Sequence, residues 1–311
     1  METGLIAARF LHLATTMALF GLALFPLYSY RSRAGELPAR FNRWLTVLLP
    51  LVTLLALASA LALGLLTVAN MAGTLGAVAD RDTLLFVLGT TDFGRVWAFR
   101  LALFAALLVL MLGRRGAMRH GGWLIPLVSA LLLLSLAFVG HTQARDDGLR
   151  ILHMVADGAH LLAAGVWLGG LLALGYLLML ARQSPAEHAA DARAPLVRFS
   201  GIGSIVVATI MGSGLINAWF LVGSVDKLTT TPYGQLLIVK LCFFFGILAL
   251  AALNRFFLVP CLVRAKENRE PLASSLRKLR RSVFGEQVLG LTIVLIVSYL
   301  GTMQPAIGSL Q

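Results

Sequence analysis

The chain has 311 residues, of which 59% are hydrophobic and 13% charged, with a mean hydropathy of +0.86. Soluble domains carry about 25% charged residues, so a water-exposed globule of this composition could not cover its own surface, and lipid is the solvent that suits it. The net charge of +12 gathers in loops between apolar segments, a placement that membrane insertion explains without a nucleic-acid-binding surface, and Cys242 and Cys261 form neither a Cys-x-x-Cys pair nor a disulfide framework.

A helix needs about 20 mostly apolar residues to cross the hydrocarbon. In chain order the apolar segments are 5–29, 44–70, 93–112, 122–140, 150–181, 199–223, 234–258 and 284–303, which predicts an all-α integral membrane protein of eight transmembrane helices. Arg9 is followed by a long apolar stretch with no clear small-x-small cleavage site, so 5–29 is expected to be the first mature helix. Pro50 and Pro126 predict local kinks in the second and fourth spans. Segments 31–43, 114–119, 182–198 and 255–281 carry 18 Lys and Arg, whereas the alternate loops and the N-terminus carry six. Basic residues stay cytoplasmic during insertion, so both termini are expected on the periplasmic side of an inner membrane. The outer loop at 71–92, with Asp80, Arg81 and Leu84 to Leu88, is expected to hold a small interfacial helix.

The chain resembles itself at an offset of about 140 residues. Arg9-Phe10-Leu11-His12 matches Arg150-Ile151-Leu152-His153, and Thr91-Asp92-Phe93-Gly94 with Arg100-Leu101 matches Thr231-Pro232-Tyr233-Gly234 with Lys240-Leu241. At a slightly larger offset, Phe138-Val139-Gly140 and Gln143 match Tyr299-Leu300-Gly301 and Gln304. The order of these matches predicts two four-helix repeats, 1–140 and 141–311, inserted in the same direction within a single membrane domain, an arrangement known among transporters.

Ionisable groups inside a membrane helix are costly and point to function. In the fifth segment His153, Asp157 and His160 follow i, i+4, i+7 spacing and share one helix face. At about 1.5 Å of rise per residue, His153 lies about 6 Å and His160 about 16 Å inside the outer end. His12 in the first segment and His141 at the end of the fourth fall in the same outer zone. Imidazole suits copper, zinc, iron and nickel, and a carboxylate such as Asp157 orients a ligating imidazole when it is not itself a ligand. His12, His141, His153, Asp157 and His160 are therefore the candidate metal ligands, against the plainer reading that they are hydrogen-bonding groups between helices. His120 and His188 fall in basic loops and are expected to be solvated. Met17, Met71, Met154 and Met303 also fall in the outer half; thioethers select Cu(I), although apolar packing explains each one singly.

Arg100 and Lys240 occupy matching repeat positions, where they either snorkel outward or pair with Asp157 or an anionic ligand. Glu286 lies toward the cytoplasmic start of the last span, as an interfacial group or as the inner end of an ion path. There is no Walker motif, no His-Glu-x-x-His and no nucleophile elbow, which favours a transporter over an enzyme.

Several of these residues carry a resemblance. Gly140-His141, His153-x3-Asp157-x2-His160, Val166-Trp167-Leu168-Gly169-Gly170-Leu171, Tyr233-Gly234-x5-Lys240, Asn254-Arg255 with Pro260, and Glu286 with Leu289-Gly290 together resemble the CopD family of copper resistance proteins. The resemblance implies an inner-membrane protein that moves copper, as Cu(I) or Cu(II), from periplasm to cytoplasm. It also implies a periplasmic CopC-type copper-binding partner, supplied separately because the spans consume this chain. On this reading copper is captured by the outer histidines and Asp157 and passes between the two halves. A weaker resemblance, His153 with Lys240 two helices later, is to HemJ-type haem-binding membrane proteins and implies instead a haem-dependent oxidoreductase or electron carrier with His153 as axial ligand.

Overall fold

The computed structural model describes residues 1–30, 37–112, 122–138, 149–264 and 269–308. Among them there is no strand. The helices are α1 (Glu2–Ser29), α2 (Ala39–Ala72), α3 (Arg81–Thr90), α4 (Asp92–Leu112), α5 (Leu124–Leu134), α6 (Leu149–Gln183), α7 (Pro185–Val222), α8 (Val225–Thr230), α9 (Pro232–Leu253), α10 (Val259–Arg264) and α11 (Arg269–Leu300). Seven helical stretches are long and apolar enough to cross a membrane. The fourth apolar segment is described from residue 122 to residue 138. It forms α5 and a 3-10 turn at Ser135–Phe138, together the apolar helix Leu124–Phe138.

The bundle is organised on α1 and α6, the two most buried spans. They touch backbone to backbone. A Cβ built on Gly21 would lie 2.1 Å from the Gly165 carbonyl oxygen, and one on Gly169 would lie 2.5 Å from the Gly21 Cα. Small residues permit such an approach, and van der Waals contact rather than the hydrophobic effect holds helices together in lipid. Leu19, Leu22, Phe25, Leu171 and Leu174 close over this seam, fully buried. α5 lies against both central helices on one side, as α11 does on the other; α2 and α4 complete the first side, α7 and α9 the second. Toward the end that carries Arg40, Arg43 and Arg182, an aromatic cluster ties α1, α2 and α6, with Trp44 stacked on Tyr176 at 4.2 Å and 5°.

The expected interfacial helix is α3. Asp80 caps it, accepting the Thr83 N–H at 3.2 Å, and the Thr83 side chain and backbone donors hold the Asp80 carboxyl below its usual range. The chain turns the same kind of corner twice, into α4 and into α9. Thr91 accepts the Gly94 N–H at 3.1 Å and Thr231 the Gly234 N–H at 3.0 Å. A Cβ on Gly94 would lie 2.0 Å from the Leu88 carbonyl, and one on Gly234 2.2 Å from the Lys227 carbonyl, so both corners need glycine.

α9 does not continue cleanly into α10. Residues Asn254–Leu258 widen into a π turn, with the Val259 N–H bonded to the Asn254 carbonyl. Pro260 follows in α10. A proline ring clashes with the carbonyl four residues back and offers no N–H, and opening the preceding turn relieves both problems.

The seam makes a direct prediction. Gly169→Leu drives a side chain into the Gly21 backbone and is expected to destabilise the protein by about 1–3 kcal/mol, the range for overpacking. Gly212→Ala, at a position with nothing within 4 Å, is expected to melt as wild type. Thermal unfolding in one detergent measures both.

Candidate functional site

Two polar sites lie on opposite sides of the seam. In the first, His12 on α1 faces α2 and α4. Its Nδ1 is 3.2 Å from the Ala56 carbonyl and 3.1 Å from Ser59 Oγ, while Ser59 spends its own proton on Ala56. A carbonyl can only accept, so Nδ1 carries the hydrogen and Nε2 holds the lone pair. That lone pair accepts from the Arg100 guanidinium. Arg100, 1% exposed, also donates to Ser135 Oγ at 2.5 Å and to the Leu132 carbonyl at 3.4 Å, and lies 5.3 Å from the Trp97 ring centre. Both nitrogens of His12 are thus engaged.

In the second site, His160 on α6 faces α7. Its Nδ1 is 3.0 Å from Ser213 Oγ, and Ser213 donates its one proton to the Thr209 carbonyl at 2.5 Å. The same reasoning puts the hydrogen on Nδ1 and the lone pair on Nε2, but here, among the described residues, no guanidinium covers it. One turn outward, Asp157 accepts from Asn217 Nδ2 at 3.3 Å, and the buried Asn217 Oδ1 has no partner among the described residues. Lys240 on α9 is within electrostatic reach of both Asp157 and His160, and Tyr233 of Asp157. The result is an aspartate oxygen, an imidazole lone pair and an amide oxygen, with an ammonium opposite. Such a set could take a cation by displacing the lysine.

The other candidates are placed as follows. His153 stacks on Phe220 at 4.7 Å and 20°. His141 and His120 lie outside the described residues. His188 is not solvated as expected. α7 extends down to Pro185, beyond its apolar stretch, and carries His188 inward, buried, with Nδ1 3.2 Å from Asp191 Oδ2. Met17 packs with Phe20, Leu133 and Leu168, and Met303 beside Val222, Tyr233 and Leu300. Among the described residues no three His, Cys, Asp or Glu side chains are close enough to hold one metal ion. Depth along a helix was legible in the sequence; direction around it was not, and His12 and His160 face opposite ways. Deeper in, Gly21, Gly165 and Gly169 bring the α1 and α6 backbones into contact and leave no room for an ion between these two helices.

Sequence reasoning missed Ser213 and Asn217, single polar residues four apart in the apolar part of α7. Their spacing on one helix face was the available signal. Glu286, expected as an interfacial group or the inner end of an ion path, has contacts that the sequence did not predict. Glu286 on α11 is 2% exposed and accepts from Asn254 Nδ2 at 2.5 Å. Arg255 reaches across to the Ser200 carbonyl and to Ser204 Oγ on α7.

Comparison with known proteins gives a consistent result. Residues 1–152 match the family described as copper resistance protein D-like, N-terminal domain, and residues 193–300 match copper resistance protein D. The chain is 30% identical to copper resistance protein D of Pseudomonas syringae pv. tomato over 96% of both chains. It is 32% identical to the copper transport protein CutJ of Bacillus subtilis over 85% of this chain, spanning about half (48%) of that protein. It is 29% identical to the inner membrane protein YebZ of Escherichia coli over 96% of this chain and 98% of that one. No solved structure is significantly similar.

The two histidines should differ in what their loss costs. His12→Ala leaves the buried Arg100 without its acceptor and is expected to destabilise by about 1.5–3 kcal/mol, the range for hydrogen bonds to charged groups. His160→Ala removes a ring whose Nε2 has no such partner among the described residues and is expected to destabilise less. Paired thermal melts check the order.

Proposed function

The chain belongs to the copper resistance protein D family, and from that premise we propose that it is a multi-pass inner-membrane protein that takes up copper at its outer face and passes it inward. Leu124–Phe138 makes the eighth crossing, both termini are periplasmic, and residues 1–140 and 141–311 are parallel copies. The paired Thr91/Gly94 and Thr231/Gly234 corners support the duplication. The basic segments at 31–43, 114–119, 182–198 and 255–281 support the orientation.

The observation that carries the reading is the uncovered His160 Nε2 beside Asp157 and the unpartnered Asn217 oxygen. Copper, as cargo, binds there. His153, further out on the same face of α6, and His141 at the outer mouth hand it in. Lys240 holds the site's charge when it is empty and swings aside when copper enters. His12 is not a ligand in this scheme, because Arg100 occupies its lone pair, and the first half serves as scaffold. The path then runs inward between α6, α7 and α9. A separate periplasmic CopC-type protein supplies the copper.

Copper titration of the purified protein tests this. His160→Ala and Asp157→Asn are expected to lose bound copper, and His12→Gln to keep it. Ser213→Ala, which leaves the imidazole unoriented, is expected to weaken binding about 10–100-fold. Affinity should fall as the pH is lowered, because a ligating imidazole must be neutral. Unchanged copper content in both His160→Ala and Asp157→Asn would remove the site, and a strong Soret band in the untreated protein would favour the haem alternative.

A further inference from the structure

Below the outer site the second side holds a polar cluster that copper capture does not use. Trp167 lies seven residues beyond His160 on α6, about 10 Å further in at 1.5 Å per residue. There Glu286, Asn254, Trp167 and Arg255 line a cavity of about 400 Å³ between α6, α7, the π turn and α11. α7 and α9 barely approach one another, so the cavity is a wedge between them, bridged by Arg255. Its walls are otherwise apolar apart from Ser200 and Ser204, with Met211 toward the outer site.

The carboxyl of Glu286 is nearly sealed from solvent, yet it makes no ion pair among the described residues. Arg255, the other ionisable group lining the cavity among the described residues, is engaged by Ser200 and Ser204 on α7. From α6 the cavity receives Trp167 and Leu171, and from α7 no ionisable side chain. On α1 the Tyr28 phenol lies beside Gly170, outside the cavity lining, and on α10 Arg264 is exposed. An isolated ionised carboxylate in hydrocarbon costs so much that such groups shed their charge instead. Among the described residues, Asn254 Oδ1 and Ser282 Oγ, the latter one turn before Glu286 on α11, are buried without a hydrogen-bond partner, and the buried Trp167 indole N–H has no acceptor within ordinary hydrogen-bond geometry, although it is close enough to interact with the Glu286 carboxyl. Trp167 is 8% exposed. The surroundings thus hold donors that could steady the anion and free acceptors for a proton or a water that carries one. The π turn, a feature frequent at functional sites, is what presents Asn254 to the carboxyl.

We propose that Glu286 is a proton-exchange site in the second half, loaded and emptied through the cavity beneath it. On release, the proton leaves by way of the cavity, and the negative charge left behind is held by the Asn254 amide and the Trp167 N–H. Coupling of this exchange to inward copper movement rests on the copper reading above; the proton site itself does not.

Dicyclohexylcarbodiimide, which reacts with protonated carboxyls in apolar surroundings, tests the site without copper. Protein in liposomes is labelled across a pH series and its peptides are weighed. The Glu286 peptide is expected to be labelled at neutral pH and to lose label as the pH rises, and Glu286→Gln to abolish that label while melting as wild type. Asn254→Leu removes a donor to the anion, so its labelling should persist to higher pH than wild type. No label on Glu286 at any pH, or label that does not change with pH, overturns the proposal. Copper-driven pH change in liposomes containing a trapped dye then reads the coupling: it is expected in wild type and absent in Glu286→Gln. A wild type that labels as expected but moves no copper would count against the transport reading and leave the proton site standing.

Discussion

The backbone contact of Gly21 with Gly165 and Gly169 is the constraint on which the rest depends. In lipid no hydrophobic force draws helices together, so close packing has to do it. Once α1 and α6 meet this tightly, no side chain from either can point into the seam. Their polar residues must face outward, His12 toward α2 and α4, His160 toward α7. One contact thereby splits a ring of histidines at common depth into two separate sites.

The two sites then differ by what stands opposite the imidazole. Both rings direct Nδ1–H to a serine on a neighbouring helix. In the first half Arg100 fills the remaining lone pair; a guanidinium is always charged and never an acceptor, so it plugs the site. In the second half the corresponding cation is Lys240, a flexible point charge that can be displaced. Leu19, buried, stands where the proposed duplication would place a counterpart of His160.

Much of this was legible in the sequence. Hydropathy reads depth, and the apolar segments, the interfacial α3 and the outer level of His12, His153, Asp157 and His160 follow from it. What hydropathy cannot read is direction around each axis, and so the pairing of His12 with Arg100, 88 residues away, was not recoverable. The length of α7 was hidden because its first turns, Pro185 to Arg198, are polar and continue the helix beyond the apolar stretch, carrying His188 into a buried contact with Asp191. Glu286 drew attention as a lone acid in a span, but its partner Asn254 sits on another helix, presented by a π turn whose cause, Pro260, lies six residues further on.

The central claim is that copper enters through the second half alone. Crystals loaded with copper and measured at the copper absorption edge test it most directly. The account predicts an anomalous peak within bonding distance of His160 Nε2 and an Asp157 oxygen, and none beside His12. A peak at His12, or one shared between the two halves across α1 and α6, would contradict it.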